Sequence, residues 1–185
     1  MTELHFLAEK VAAKLADAGK NPHSPWRTAA LATQGFSGPD LRMLVLRRAS
    51  PGQIIFYSDR RSPKCQQIQK CPDAALLFYD ATEKEQLRLW GEVRLVGEGP
   101  EWDEALEGVL DRGAWHDYSG IFAPGEVLGE LSHQSEIESV RSNFCLLVFD
   151  YRKADWLKLG RADHRRAKFF WQASGELEQA VWVAP

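Results

Sequence analysis

The sequence predicts a mainly β (α+β) fold in which antiparallel strands close into a barrel flanked by helices. Three observations carry this prediction. Apolar and alternating runs give seven or eight short strands, most of them joined by tight turns. The pattern has no regular strand–helix alternation of the kind that builds a parallel sheet. A length of 185 residues, without an internal repeat or linker, indicates one domain over 1–185.

The first half of the chain contains two predicted helices and three predicted strands. An N-terminal helix is expected within 1–20, because apolar residues recur at helical spacing over Thr2–Ala18 and Gly19 can end it. Ser62 followed by Pro63 signals the start of a second helix, which Cys71-Pro72 ends. The strands between these helices are separated by polar or glycine-rich turns and are expected at Trp26–Thr33, Leu41–Arg48 and Gln53–Ser58.

The second half alternates between strand patterns and one further helix. Within the long strand Gln86–Val96, Gly91 predicts a bend or bulge of the kind that small barrels use to close. A helix is expected over Pro100–Arg112, followed by an irregular segment over Trp115–Gln134. A tight turn is expected at Arg152-Lys153. The remaining strands are expected at Ala74–Tyr79, Asn143–Tyr151, Ala154–Leu159, Lys168–Gln172 and Ala180–Val183.

The composition narrows the class of protein. Hydrophobic residues make up 44% of the chain and charged residues 26%, as in globular proteins. The net charge of −3 argues against nucleic acid as a principal partner, and no apolar run reaches the roughly 18 residues of a membrane span. The three cysteines lack C-x-x-C spacing, which favours reduced thiols over a disulfide framework or a metal site. We expect a cytoplasmic protein.

Several residues are candidates for holding an anion. Arg42 and Arg47 offer planar forks of donors that suit phosphate oxygens, although each is equally compatible with a solvated strand edge. Lys64 lies at a predicted helix start, where unpaired N–H groups attract anions, and the Ser58 and Ser62 hydroxyls can add donors. The alternative is an ordinary surface helix start.

Other residues are candidates for holding a ring. The amide of Gln86 can donate to and accept from the edge of a flavin or a base, or it can simply face solvent. Trp156, with His164, Arg165 and Arg166, forms an aromatic and basic group that could stack on a ring or be a packed tryptophan before a charged turn.

Side chains alone do not indicate a reaction. The sequence has no catalytic-triad order, metal-ligand helix, Walker loop or G-x-G-x-x-G. Glu83, Glu85 and Glu92 are interpreted as surface charge and not as an acid–base pair. A bound cofactor would therefore have to carry out the difficult step.

These residues, in this order, resemble the pyridoxamine 5′-phosphate oxidase family of FMN-binding split β-barrels, from about Trp26 to Trp171. The run Arg42 to Arg47 is similar to the family's R-x-V-L-L-K strand. Phe56-Tyr57-Ser58 followed by Ser62-Pro63-Lys64 resembles F-Y-T followed by S-R-K. Gln86 to Gly91 resembles the R-Q-V strand, and Trp156, His164 and Arg166 keep the spacing of W…R-L-H-D-R.

The resemblance implies FMN as the cofactor of a homodimer, with the site at the subunit interface. Arg42, Ser58 and Lys64 would hold the phosphate, Gln86 would address the ring edge, and the C-terminal strands of 152–185 would complete the site from the second subunit. Arg47, His164 and Arg166 would be nearest to a small substrate. The full set implied to contact FMN is Arg42, Met43, Leu44, Val45, Leu46, Arg47, Tyr57, Ser58, Ser62, Lys64, Gln86, Gln134, Ser135, Trp156 and Arg166.

The chain also departs from the family pattern at three positions. Arg47 replaces a lysine, Pro63 replaces the arginine of S-R-K, and Ala162 replaces the first arginine of the C-terminal motif. The expectation is an FMN-dependent oxidoreductase acting on a small molecule other than pyridoxine phosphate. The alternatives are a non-catalytic FMN carrier or sensor, and a relative that binds haem or a deazaflavin.

Overall fold

The computed structural model of the chain describes residues 2–129, 135–160, 163–172 and 174–185. Within them the mainly β fold is confirmed. The strands are β1 Thr28–Gly35, β2 Gly38–Ser50, β3 Gln53–Asp59, β4 Asp73–Asp80, β5 Glu85–Val96, β6 Phe144–Lys158, β7 Arg165–Trp171 and β8 Leu177–Val183. The helices are α1 Glu3–Lys20, α2 Pro63–Lys70, α3 Pro100–Asp111 and α4 Ser139–Asn143, with a 3₁₀ turn at Ala114–Asp117.

Six of the strands form a closed antiparallel barrel. The sheet order is β3-β2-β1-β4-β5-β6-β7-β8, and an additional pairing of β3 with β6 closes the ring. β7 and β8 continue from β6 outside the closed part. Large apolar side chains such as Leu46, Phe56, Phe78 and Phe149 are fully buried. Since side chains fill the interior, a flat ring ligand has to bind on the outside of this barrel.

β6 is one continuous strand, which corrects the prediction of two strands with a turn at Arg152-Lys153. Its first half pairs with β3 and its second half with β7, while β5 pairs along nearly its whole length. Trp90 faces Lys153 and Gly91 faces Tyr151, so Arg152 is an extra residue at a β-bulge. Arg152 and Lys153 lie where the pairing of β6 changes from β3 to β7. Two adjacent polar residues occur at β-bulges as well as at turns, so the sequence pattern is compatible with both.

Gly91 lies at this bulge, as the sequence predicted. A Cβ at this position would be 2.7 Å from the Tyr151 Cα and closer still to the Asp150 carbonyl oxygen. Only a residue without a side chain therefore lets β5 and β6 approach at this point.

The helices cover the barrel. α1 buries Val11, Leu15 and Ala18 in the same apolar cluster as the barrel interior. α3 packs on the outer face of β3 and β6, where Trp102 Nε1 donates to the Phe144 carbonyl oxygen at 3.2 Å. α4, directly before β6, was not predicted. Among the described helices, none has the length and apolar character needed to cross a membrane.

Candidate functional site

Three polar side chains converge where β3 ends and α2 begins. Lys64 Nζ donates to Ser62 Oγ at 3.0 Å, and Ser58 Oγ lies 3.5 Å from Ser62 Oγ. Ser58 and Ser62 are buried, and the Ser62 hydroxyl donates to the Asp59 carbonyl oxygen at 2.7 Å. Proline at the first helical position has no backbone N–H and fixes the helix start, and the N–H of Cys65 donates to the Ser62 carbonyl oxygen at 2.9 Å. The structure thus brings the predicted hydroxyl and lysine groups together.

Arg42 points toward this group from β2. Its guanidinium donates to Thr33 Oγ1 at 2.6 Å, to Gln67 Oε1 at 2.9 Å and to Asp40 Oδ2 at 2.6 Å. Gln67, which lies on α2, also donates to Asp40 Oδ2 at 2.8 Å. The hydrogen bond from Gln67, together with the charge of Arg42, holds the pKa of the Asp40 carboxyl below its usual range. Arg42 is therefore fixed against α2, and one side of its fork faces a carboxylate.

The electrostatics of this group favour an anion. Burial lowers the pKa of Lys64, and the positive charge of Arg42 acts in the same direction. Two cations that disfavour each other's charge are stabilised by a negative group placed between them. A phosphate, with several acceptor oxygens, fits the combination of arginine, lysine, hydroxyl and helix-start donors. We call Arg42, Ser58, Ser62 and Lys64 the anion cradle.

Arg47 occupies a bulge in β2, the strand that also carries Arg42 of the anion cradle. The β2–β3 register shifts between Leu46 and Arg48, so Arg47 is an extra residue whose side chain is re-aimed. Its guanidinium lies 5.1 Å from the centre of the Tyr57 ring, and its Nε is buried without a hydrogen-bond partner. Both residues line a cleft of about 220 Å³ against α3, whose other charged lining residues are Arg48, Glu101, Glu104 and Arg112.

The side chains of β2 alternate between core and surface. Leu44 and Leu46 are buried, whereas Leu41 and Met43 are 64% and 63% exposed. Met43 of β2 pairs with Ala30 of β1, and Ala30 pairs in turn with Leu77 of β4. Three strands therefore share one outward surface, which we call the apolar face, formed by Ala30, Ala32, Leu41, Met43, Val45, Ala75, Leu77 and Tyr79.

Gln86 and Arg166 lie on the continuation of this surface. Tyr79 pairs with Gln86, Gln86 with Leu157, and Leu157 with Arg166, so these four residues form a line across β4, β5, β6 and β7. Arg166 donates twice to Asp155, at 2.9 and 2.8 Å, which raises the pKa of the guanidinium. Gln86 and Arg166, both predicted to contact the ring, are thus separated by one strand, β6, whose first half pairs with β3 of the cradle.

The side chain of Trp156 is buried. It is 3% exposed and belongs to the core, and its Nε1 donates to Glu85 Oε1 at 2.5 Å. It faces the barrel interior, opposite to Gln86 and Arg166, and its implied contact with the flavin stays a prediction. Glu85 is buried and bonded to Lys14 at 2.5 Å, so its interpretation as surface charge was wrong.

The remaining predicted residues lie outside these groups. His164 is exposed, and the backbone N–H of Gly160 donates to its Nδ1 at 3.3 Å. Ser135 is exposed and forms an isolated bridge with Gly120. Gln134 and Ala162 lie outside the described residues. Their proposed contacts stay predictions.

Gln67 and Thr33 were missed by the sequence analysis. Thr33 Oγ1 donates to Gln67 Oε1 at 2.6 Å, and both side chains are buried beside Arg42. A glutamine on an amphipathic helix gives no sequence signal of burial, because only the packing of α2 against β1 places it inside.

Comparison with known proteins agrees with this architecture. A family model described as the FMN-binding domain of pyridoxamine 5′-phosphate oxidase matches residues 8–97. A pyridoxine/pyridoxamine 5′-phosphate oxidase of Legionella pneumophila (strain Lens) is 41% identical over 58 residues, which are 31% of this chain and 27% of that protein. The corresponding oxidase of Mesorhizobium japonicum is 35% identical over 88 residues, or 47% of this chain and 43% of that one. The matched segments thus span less than half of these relatives.

Solved structures extend the likeness to the whole chain. A pyridoxamine 5′-phosphate oxidase-related, FMN-binding protein of Nostoc punctiforme has a TM-score of 0.69 and 25% identity, covering 100% of this chain and 99% of that one. PhzG from Burkholderia lata, solved with tetrahydrophenazine-1-carboxylic acid, has a TM-score of 0.71 and 15% identity, covering 98% and 91%, and supports the fold alone. The fold defines the class of split β-barrels. Residues 8–97, just under half of the chain, thus match the FMN-binding domain of the pyridoxamine 5′-phosphate oxidase family, and the whole chain shares the fold of solved members of that class.

Proposed function

We propose that this protein is a homodimeric oxidoreductase that binds FMN non-covalently and acts on a small organic substrate. The observation that carries the proposal is the anion cradle, in which Arg42 lowers the pKa of the half-buried Lys64 and the Ser62 hydroxyl accepts from Lys64 at 3.0 Å. The phosphate of FMN would offset the conflict between the two cations. FMN, when bound, would supply reversible hydride or electron transfer.

The homodimer would form through the apolar face. An exposed sheet surface with Leu41, Met43, Leu77 and Tyr79 side by side is unusual for a monomer and suits a partner of the same kind. The line from Tyr79 to Gln86 and Arg166 starts at this face. A second copy packed on it would place Gln86 and Arg166 of the partner subunit near the cradle, completing a site that one protomer holds only in two separate halves.

Met43→Glu is expected to raise the dimer dissociation constant at least about tenfold, or roughly 1.4 kcal/mol, because it buries a carboxylate in the centre of the proposed interface. Light scattering coupled to gel filtration measures the effect. Leu110→Glu is the matched control, since Leu110 is an exposed apolar residue on α3, away from the apolar face. Equal dimer stability for both variants would contradict the assignment of this face.

The residues nearest to a substrate would be Arg47, His164 and Arg166. Arg47 carries the buried, unpartnered Nε and borders the cleft against α3. The same cleft contains Glu101 and Glu104, and Glu101 pairs with Arg48. The substrate is expected to differ from pyridoxine phosphate because the chain departs from the family pattern at Arg47, Pro63 and Ala162. Arg47 would orient it by hydrogen bonds.

The visible spectrum of the purified protein tests cofactor binding. The proposal expects a flavin band and release of FMN on denaturation, whereas a Soret band would indicate haem and a deazaflavin would differ in both its spectrum and its mass. Colourless protein that also leaves the fluorescence of added FMN unchanged would refute FMN binding.

The second candidate is a non-catalytic FMN carrier or sensor. The observation favouring it is Pro63 at the first position of α2. The family's enzyme has an arginine there, and proline offers no hydrogen-bond donor in its place. Stopped-flow reduction by NAD(P)H, followed by a panel of amines and aldehydes, separates the two. Turnover with any of these compounds supports the oxidoreductase, and its absence with all of them supports the carrier.

Asp40→Asn is expected to tighten FMN binding by up to about fivefold. The carboxylate of Asp40 occupies one side of the Arg42 fork and is about half exposed, so removing its charge frees the guanidinium, and solvent screening keeps the effect modest. Titration of flavin fluorescence measures the change. Weaker binding would mean that Asp40 holds Arg42 in its binding position.

A further inference from the structure

Two of the three cysteines lie in contact inside the fold. Sγ of Cys65, in the first turn of α2, is 4.0 Å from Sγ of Cys145 on β6, and both residues are buried. The pair is 80 residues apart in sequence and is brought together because β3 pairs with β6 at Ser58 and Cys145. Cys71, at the end of α2, is partly exposed.

The two sulfurs have different surroundings. Cys65 Sγ lies 3.4 Å from Ser62 Oγ, 3.7 Å from Ser58 Oγ and 3.3 Å from the Asp59 carbonyl oxygen. The contact with Cys145, the contacts with the two serine hydroxyls and the charge of Lys64 lower the pKa of Cys65, against the effect of burial. The same contact with Cys65, together with burial, raises the pKa of Cys145. Two sulfurs in contact thus favour one thiolate beside one thiol.

A cleft borders one sulfur of the pair, because Cys145 is among its lining residues. It has a volume of about 420 Å³. Its mouth carries the Arg60 guanidinium, which lies so close over Gly97 that a side chain there would overlap it. The lining residues are Arg60, Gln69, Leu95, Gly97, Glu98 and Cys145. A peroxide, similar in size to a few waters, can enter such a space.

We propose that Cys65 and Cys145 are a redox-active dithiol that hydrogen peroxide converts to an intramolecular disulfide. One sulfur of the pair, as the thiolate, would attack the O–O bond, forming a sulfenic acid and releasing hydroxide. The other sulfur would then attack the sulfenic sulfur, forming the S–S bond and expelling water as its proton leaves. In total, two thiols lose two electrons and two protons, and one peroxide becomes two waters. The sulfurs, which lie 4.0 Å apart, must close to about 2.05 Å.

The location of the pair couples it to the anion cradle, a consequence that rests on the proposed function. Ser62 and Ser58, both cradle residues, contact the Cys65 sulfur directly. A phosphate in the cradle would place negative charge beside the thiolate and favour the protonated thiol. Bound FMN would therefore slow oxidation by lowering the fraction of the pair present as thiolate.

The first test treats the full chain with hydrogen peroxide, denatures it, alkylates the remaining thiols and maps its peptides by mass. The expected product is a Cys65–Cys145 linked peptide pair, with Cys71 alkylated, restored to three free thiols by dithiothreitol. Cys71→Ala should still form the link, and Cys65→Ala should not. Oxidation confined to Cys71, or over-oxidation of Cys65 without the link, overturns the proposal.

The second test compares the oxidation rate of the flavin-free chain with that of the FMN-saturated chain, using inorganic phosphate as a further probe. A several-fold slower rate with FMN is expected. An unchanged rate in protein shown by fluorescence to hold FMN overturns the coupling. If FMN does not bind at all, the fluorescence titration shows this separately, and the peptide map still decides the dithiol.

Discussion

Replacing Arg42 with alanine is expected to weaken FMN binding by about 1.5–3 kcal/mol, a roughly 10- to 150-fold rise in Kd, the scale of a lost charge-assisted hydrogen bond. The guanidinium is already held by Thr33 and Gln67, so the wild-type protein pays little ordering entropy when a phosphate arrives. Its charge also acts on Lys64. Titration of flavin fluorescence gives the Kd of both proteins.

Two controls separate binding from folding. Arg141→Ala removes an arginine that is 71% exposed, pairs with Asp103 and lies 5.0 Å from the centre of the Trp102 ring, away from the cradle, so its FMN affinity should equal that of wild type. Arg42→Lys keeps the charge but loses the fork and should recover part of the affinity. Thermal unfolding of Arg42→Ala without FMN shows whether the loss of the hydrogen bonds from Arg42 to Thr33 and Gln67 destabilises the fold. An unchanged Kd for a well-folded Arg42→Ala protein would remove Arg42 from the phosphate site.

Gly91→Ala is expected to destabilise the fold by about 3 kcal/mol or more, at the upper end of overpacking effects. The new Cβ would meet backbone atoms, the Asp150 carbonyl oxygen and the Tyr151 Cα, which cannot rotate away as a side chain can. The clash falls at the bulge where β6 leaves β3 for β7, so the barrel and its extension would both be disturbed. Urea unfolding monitored by tryptophan fluorescence measures the loss as a lower midpoint.

Gly129→Ala is the matched control for this substitution. A Cβ at Gly129 meets nothing within 4 Å, and the backbone there has no positive φ, so the free energy of unfolding should stay within about 0.5 kcal/mol of wild type. Equal midpoints for both variants would show that β5 can separate from β6 at the bulge without cost.

The cradle illustrates how far local signals reach. Ser62 and Pro63 predict the start of α2, and Lys64 follows from them by position. Arg42 could be assigned to the same group only through the family resemblance, because 22 residues and two turns separate it from Lys64. The carboxylate and amide that hold its fork, Asp40 and Gln67, carry no sequence signal at all.

The strands show the same limit. Alternation and turn residues predict β1 to β5 closely, and Gly91 predicts its bulge. Arg152-Lys153 and Glu85 were misjudged, since polar residues usually mark turns and surfaces. A bulge and a buried ion pair with Lys14, 71 residues away in the chain, accommodate them instead.

The sequence by itself determined the mainly β class, most element positions, the helix start that carries the hydroxyl and lysine donors, and the resemblance to the pyridoxamine 5′-phosphate oxidase family. Only the tertiary structure decided that β3 closes on β6, that Trp156 faces inward, that Gln86 and Arg166 continue the apolar face, and that Cys65 touches Cys145. The reason is physical. Periodicity and capping act between residues a few positions apart, whereas register and burial depend on pairings between strands distant in the chain, which no local pattern specifies.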